Sequence, residues 1–148
     1  MDTPKPCWIC GVIADSGEHM IKRSDLKDAL GGGPYRFHTA EKRNTIMQGP
    51  NAKIIKSFTI CAKCNNQLSQ PYDKAWETFS KYLQASDRIV ATPGNNIKLK
   101  NIFPGKIHDS MLFVHLFFVK LFGCRIAEEN IPINLDLFSK SFLSISTQ

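Results

Sequence analysis

Two short cysteine pairs, Cys7-Trp8-Ile9-Cys10 and Cys61-Ala62-Lys63-Cys64, constrain this chain more than anything else in it. Four soft ligands in two Cys-x-x-Cys turns suit a tetrahedral zinc site, because each two-residue spacer lets both sulfurs sit roughly 2.3 Å from one ion. An ion that takes all four closes residues 11–60 into a loop long enough to carry a function of its own. Disulfides and a thiol redox pair are the competing uses. Met1-Asp2-Thr3-Pro4-Lys5-Pro6 has no apolar run of the secretory kind, which predicts a reducing, cytoplasmic setting where structural disulfides are rare. No βαβ pattern surrounds either pair, as a thioredoxin-like site requires. Structural zinc on Cys7, Cys10, Cys61 and Cys64 is the expectation. Trp8, between two ligands, is expected to shield the sulfurs from water. Cys124 follows an apolar run and reads as a small buried apolar residue.

With 148 residues, 43% of them hydrophobic, the chain can bury one sizeable core or two small ones tightly joined. Its formal charge of +6 favours an anionic partner without naming it. That charge is uneven. Lys22, Arg23, Lys27, Arg36, Lys42, Arg43, Lys53 and Lys56 crowd one segment, against Asp25, Asp28 and Glu41. A basic segment beside a metal anchor suits a polyphosphate backbone, and a solvated surface is the plainer alternative.

Residue patterns then place the elements. A short extended stretch is expected near Gly17 to Ile21, and Ser24 to Leu30 has helical character that Gly31-Gly32-Gly33-Pro34 stops. Tyr35 to Asn51 reads as a loop or variable insert, and Lys53 to Ile60 as a strand entering the second knuckle. Pro71 suits a first helical turn, after which Tyr72, Trp76, Phe79 and Leu83 recur at i, i+4, i+7 and i+11, one apolar face of a helix. Turn residues between Ala91 and Gly105 mark a boundary, dividing a zinc-binding domain over 1–88 from a helical extension over 89–148.

In that extension Asp109 or Ser110 could cap a helix over about 109–122, with Gly123 ending it. The run is apolar nearly all round, yet it is too short to span a bilayer and carries His115 and Lys120. A core helix is expected, or one that docks a protein partner or a second copy, with no membrane role. Asn130 to Gln148 shows no clear period and reads as a docking arm.

Taken together, the knuckles, the Glu18-His19 pair and the Asn65-Asn66 that follows Cys64 resemble the HNH endonuclease family. Ser16-Gly17-Glu18-His19-Met20-Ile21 is similar to that family's acid-His-apolar strand. Cys61-Ala62-Lys63-Cys64-Asn65-Asn66 is similar to its Cys-x-x-Cys-Asn helix start, and the likeness covers Cys7 to about Leu83. The resemblance implies an α+β fold: a small zinc-stapled ββα-metal module followed by a mainly helical C-terminal part.

It also implies a role for each residue. Glu18 and Asn65 would ligate a catalytic Mg²⁺ or Mn²⁺, and His19 would be the general base that deprotonates the attacking water. A histidine with a pKa near 6.5 can take that proton, and a hard ion held by oxygen ligands supplies the Lewis acid. The zinc would be structural, since four thiolates leave it no open position. DNA is the foremost substrate, with RNA the other.

Two features depart from the family's pattern. An Asn that the family commonly carries before the second knuckle falls near Lys56 and Ser57, leaving Asn51 or Asn66 to serve. Glu18 is longer than the more usual Asp or His, which would move the ion by a methylene. The alternative is therefore a catalytically inactive HNH-like zinc module that binds nucleic acid through Lys22, Arg23, Lys27, Arg36, Lys42 and Arg43. A third possibility is a zinc-stabilised interaction domain that docks through the apolar C-terminal helix.

Overall fold

β-Branched and aromatic residues just ahead of the second knuckle, Phe58, Thr59 and Ile60, form the strand that organises the molecule. A computed structural model of the chain describes residues 4–38, 40, 43, 45–46, 56–85 and 96–145. The order is β1 (Ser16–His19), α1 (Arg23–Leu30), β2 (Arg36–Phe37), β3 (Thr45–Ile46), β4 (Lys56–Ile60), a π-helical turn (Lys63–Leu68) and α2 (Gln70–Ala85). Then follow α3 (Leu99–Ile102), α4 (Ile107–Glu128) and α5 (Asp136–Ile145). The fold is α+β.

β1 and β4 pair antiparallel, with Ser16 opposite Ile60, Glu18 opposite Ser57 and His19 opposite Lys56. Between the first two pairs the register shifts by one residue, a bulge on β4. Gly17 lies there, and a Cβ on it would approach the Phe58 ring to 3.1 Å. β2 and β3 form a separate two-stranded ladder inside the segment expected to be a loop or insert. α1 covers the expected stretch and ends at Gly31, whose φ of 76° an L side chain adopts with strain.

After Cys64 the chain winds as a π-helix, with the Ser69 N–H donating to the Cys64 carbonyl at 3.1 Å, before settling into α2. The Tyr72 and Trp76 face is core, as its spacing predicts. Trp76 stacks on Phe117 at 5.2 Å between centroids and donates its indole N–H to Asp25 Oδ2 of α1 at 2.8 Å.

α4 corrects the expected 109–122 helix at both ends. It begins at Ile107, ahead of Asp109 and Ser110, and runs through Gly123 to Glu128. Gly123 is there for contact rather than termination, since a Cβ on it would lie 2.4 Å from Trp8 Cζ2. At 22 residues the helix is long and apolar enough, by length and composition alone, to cross a membrane, so the expectation that it is too short does not hold. Here one side of it is buried, through Val114, Leu116, Phe117, Lys120, Gly123 and Cys124.

Asn130 to Gln148, read as an arm without period, contains α5, introduced by Asn134 Oδ1 accepting the Asp136 N–H at 2.8 Å. Its Phe142 is fully buried, edge-on to Tyr72 at 4.8 Å and against Trp8 at 5.9 Å. One apolar cluster thus joins Cys7, Ile9, Ile60, Tyr72, Leu116, Phe117, Cys124 and Phe142. Residues on both sides of the expected 88/89 boundary share this core, as so short a chain favours.

Candidate functional site

The two knuckles meet. The sulfurs of Cys7, Cys10, Cys61 and Cys64 all lie within 4.8 Å of one another, with Cys10 and Cys61 Sγ at 3.7 Å. A disulfide would need about 2.05 Å. A tetrahedral ion with thiolate bonds of about 2.3 Å would hold its sulfurs about 3.8 Å apart. The four residues fit a metal ion.

Local turns prepare the cluster. Gly11, at φ 77°, lets the first knuckle fold back, its N–H donating to the Cys7 carbonyl at 2.8 Å. In the second knuckle the Cys64 N–H donates to Cys61 Sγ at 3.4 Å. Burial pushes the Cys7 thiol up, but backbone N–H groups of Cys10, Cys61 and Ile9 outweigh it and hold the thiol below its ordinary value. Cys7, Cys61 and Cys64 are buried, while Cys10 is exposed at the rim.

Longer contacts fix the knuckles to the rest of the fold. Asp15 Oδ1 accepts the Ala62 N–H at 2.7 Å, and the Trp8 N–H donates to the Thr59 carbonyl at 3.0 Å. The Trp8 indole donates to Cys124 Sγ at 3.3 Å. Trp8 therefore docks the first knuckle on α4 and α5. At the other end of β4, Glu128 accepts from Ser57 Oγ at 3.2 Å and from the Phe58 N–H at 3.0 Å, and its backbone carbonyl accepts from Lys5. Cys124 is buried, as expected, and burial raises its thiol to about 12.

Beside the cluster lies a cleft of about 480 Å³, lined by Gly17, Glu18, His19, Lys22, Ser24, Asn65, Asn66, Asp73 and Phe117. Glu18, His19 and Asn65, singled out by the sequence, all reach it. β1 supplies the first two. The π-helical turn supplies Asn65, whose Nδ2 donates to Ser16 Oγ at 3.1 Å and to the Gly17 carbonyl at 3.4 Å. That bond network turns the amide nitrogen toward β1, and Oδ1 is the atom of Asn65 with ligand chemistry.

Sequence reasoning missed two members of this region. Lys120, only 1% exposed, reaches from α4 to Glu18 Oε1 at 3.0 Å and Asp73 Oδ1 at 2.7 Å, with Ser69 Oγ at 3.3 Å. The signal was a lone lysine within an apolar helical run. Asp73 stands one helical turn beyond Ser69 and two beyond Asn65, a spacing that places all three on one face. Burial pushes the Glu18 carboxyl up, the Lys120 ammonium opposes that rise, and the Asp73 charge adds to it.

Of the basic residues, Lys22 lines the cleft but is tied to α2, its ammonium 3.4 Å from Glu77 Oε2 and 3.4 Å from the Asp73 carbonyl. Lys27, Arg36 and Arg43 are exposed. Lys42, Lys53, Asn51 and the Arg23 side chain lie outside the described residues. Lys56, at the register where the resemblance asks for an Asn, is the cross-strand neighbour of His19. No protein-family model matches the chain, and neither a curated protein nor a solved structure does.

Proposed function

We propose that this protein is a metal-dependent endonuclease of the HNH type, hydrolysing phosphodiester bonds in DNA, with a structural zinc ion on Cys7, Cys10, Cys61 and Cys64. One observation carries the reading: the adjacent Glu18 and His19 of β1 and the distant Asn65 line a single cleft beside the cysteine cluster. His19 accepts the proton of the attacking water, a task for which an imidazole's ordinary pKa near 6.5 is suited. Glu18 and Asn65 offer the hard oxygen ligands that Mg²⁺ or Mn²⁺ prefers. Such an ion, when bound, would polarise the scissile phosphate and stabilise the leaving oxygen. Lys22 in the cleft wall and the exposed Lys27, Arg36 and Arg43 would meet the phosphate backbone.

Nicking of supercoiled plasmid in Mg²⁺ or Mn²⁺, run beside His19→Ala, tests this. Cleavage lost in the variant, with zinc content and DNA binding retained, is the expected result. Wild-type protein that nicks with neither ion ends the proposal. A second reading, a zinc module that grips nucleic acid without cutting it, is favoured by Lys120, whose ammonium already neutralises the candidate ligand Glu18. That reading predicts binding that weakens steeply with salt and no cleavage.

A further inference from the structure

The four cysteines of the cluster do not share one environment. Cys7, Cys61 and Cys64 are buried, whereas Cys10 is exposed. Gly11, next in the chain, has open space where a Cβ would stand, and Val12 and Ile13 are exposed as well. Cys61 is fixed by contrast. It follows the fully buried Ile60 of β4, and the Ala62 N–H just after it donates to Asp15 at 2.7 Å. Of the four sulfurs, the one on the water side is therefore also the one whose flank is free. It lies 3.7 Å from Cys61 Sγ of the other knuckle.

We propose that Cys10 is an oxidation site, which a peroxide joins to Cys61 in a disulfide that replaces the ion as the link between the knuckles. This rests on the zinc reading of the cluster and is independent of the nuclease reading. Cysteines that ligate zinc are thiolates, the form that attacks an oxidant. Cys10 Sγ attacks one oxygen of hydrogen peroxide, so that an S–O bond forms, the O–O bond breaks and hydroxide leaves. Cys61 Sγ then attacks Cys10 Sγ, so that the S–S bond forms, the S–O bond breaks and a second hydroxide leaves. The two cysteines lose two electrons, the peroxide gains them, and two protons from solvent turn both hydroxides into water. The sulfurs close from 3.7 Å to about 2.05 Å, a movement that the free side of the first knuckle can supply. Cys7 and Cys64 are then too few ligands to keep the ion. A bond inside one knuckle would tie residues that are already neighbours. Cys10–Cys61 instead closes residues 11–60, the same loop that the ion closes, so the fold outlives the metal.

Hydrogen peroxide added to the full chain, its zinc content measured beforehand, tests this. A chromogenic chelator follows released zinc, peptide mass mapping finds the new bond, and near-ultraviolet circular dichroism follows the fold. The expected result is zinc release in step with a Cys10–Cys61 bond and a retained spectrum, all reversed by dithiothreitol and added zinc. Reduced protein stripped by a chelator should lose that spectrum. Cys10→His can still ligate zinc but offers no sulfur at the rim, and its zinc release should be at least about tenfold slower. If that variant holds no zinc, the wild-type map decides alone. A bond within one knuckle, zinc kept through a large excess of peroxide, or unfolding as the bond forms overturns the inference. Zinc held in full and then released without a cysteine bond rejects the pairing and leaves the zinc reading standing. A chain that holds no zinc yet forms Cys10–Cys61 keeps the pairing and rejects the zinc reading.

Discussion

The cysteine cluster and the acid–imidazole cleft lie side by side and draw on neighbouring segments, yet they are held in opposite ways. Each half of the cluster is made by a tight local turn, with ligands three residues apart and backbone N–H groups aimed at sulfur. The cleft owes little to local geometry. Its floor depends on Asn65 reaching across to Ser16 and Gly17, and on Lys120 arriving from α4. A centre built from local turns survives much change elsewhere. A centre balanced by a remote charge does not.

That contrast can be broken most severely at the cluster. On the proposed zinc reading, Cys61→Ser should lose the ion and with it the fold, since structural zinc contributes on the order of 10 kcal/mol to small domains. Zinc stoichiometry and near-ultraviolet circular dichroism would register the loss, and a metal-free variant with native spectra would remove the ion from the account of the fold. Lys120→Met should act on the cleft alone. The buried Glu18 and the half-buried Asp73 lose their cation, which costs about 3–5 kcal/mol, while metal content stays full. Denaturant melts paired with metal analysis would separate the effects, and loss of zinc from this variant would show the two centres to be one unit.

Gly123→Ala probes the joint between them. Its methyl would overlap the Trp8 ring, at a cost of about 1–3 kcal/mol. A melting temperature equal to wild type would mean that Trp8 has room to move. Smaller still, Asp25→Ala removes the acceptor of the Trp76 indole and should cost about 1 kcal/mol, readable as a shift in urea midpoint with unchanged slope.

Acidity offers a further distinction. Glu18 holds its proton above the ordinary value of 4.5 in the native chain, so the native state binds more protons than the unfolded one in that range. Stability therefore falls as pH rises from about 4.5 through the native value. Glu18→Gln should flatten that slope in melts followed across acidic pH, and an unaltered slope would assign the titration to another group.

How much of this could be read beforehand divides along the same line. The ligand cysteines were legible because metal chemistry fixes their spacing, and Tyr72 and Trp76 because a helix repeats every 3.6 residues. Glu18, His19 and Asn65 were legible as a pattern relative to the knuckles, and they do share a cleft. Lys120 was visible only as an oddity in an apolar run, because its partners lie on β1 and α2. The ends of α4 were misplaced for a related reason. Gly123 looks like a helix stop until Trp8 is found against it. The tail shows no period because, among its described side chains, α5 buries Phe142 deeply and leaves Leu137, Phe138 and Leu143 exposed.

The backbone of β4 also forbids an association. Among the described residues its sheet stops at two strands. The Phe58 N–H is spoken for by a glutamate side chain, and the Thr59 carbonyl by the first knuckle. Those are the groups an incoming strand would grasp, so at these positions the molecule has no spare hand for edge-to-edge aggregation.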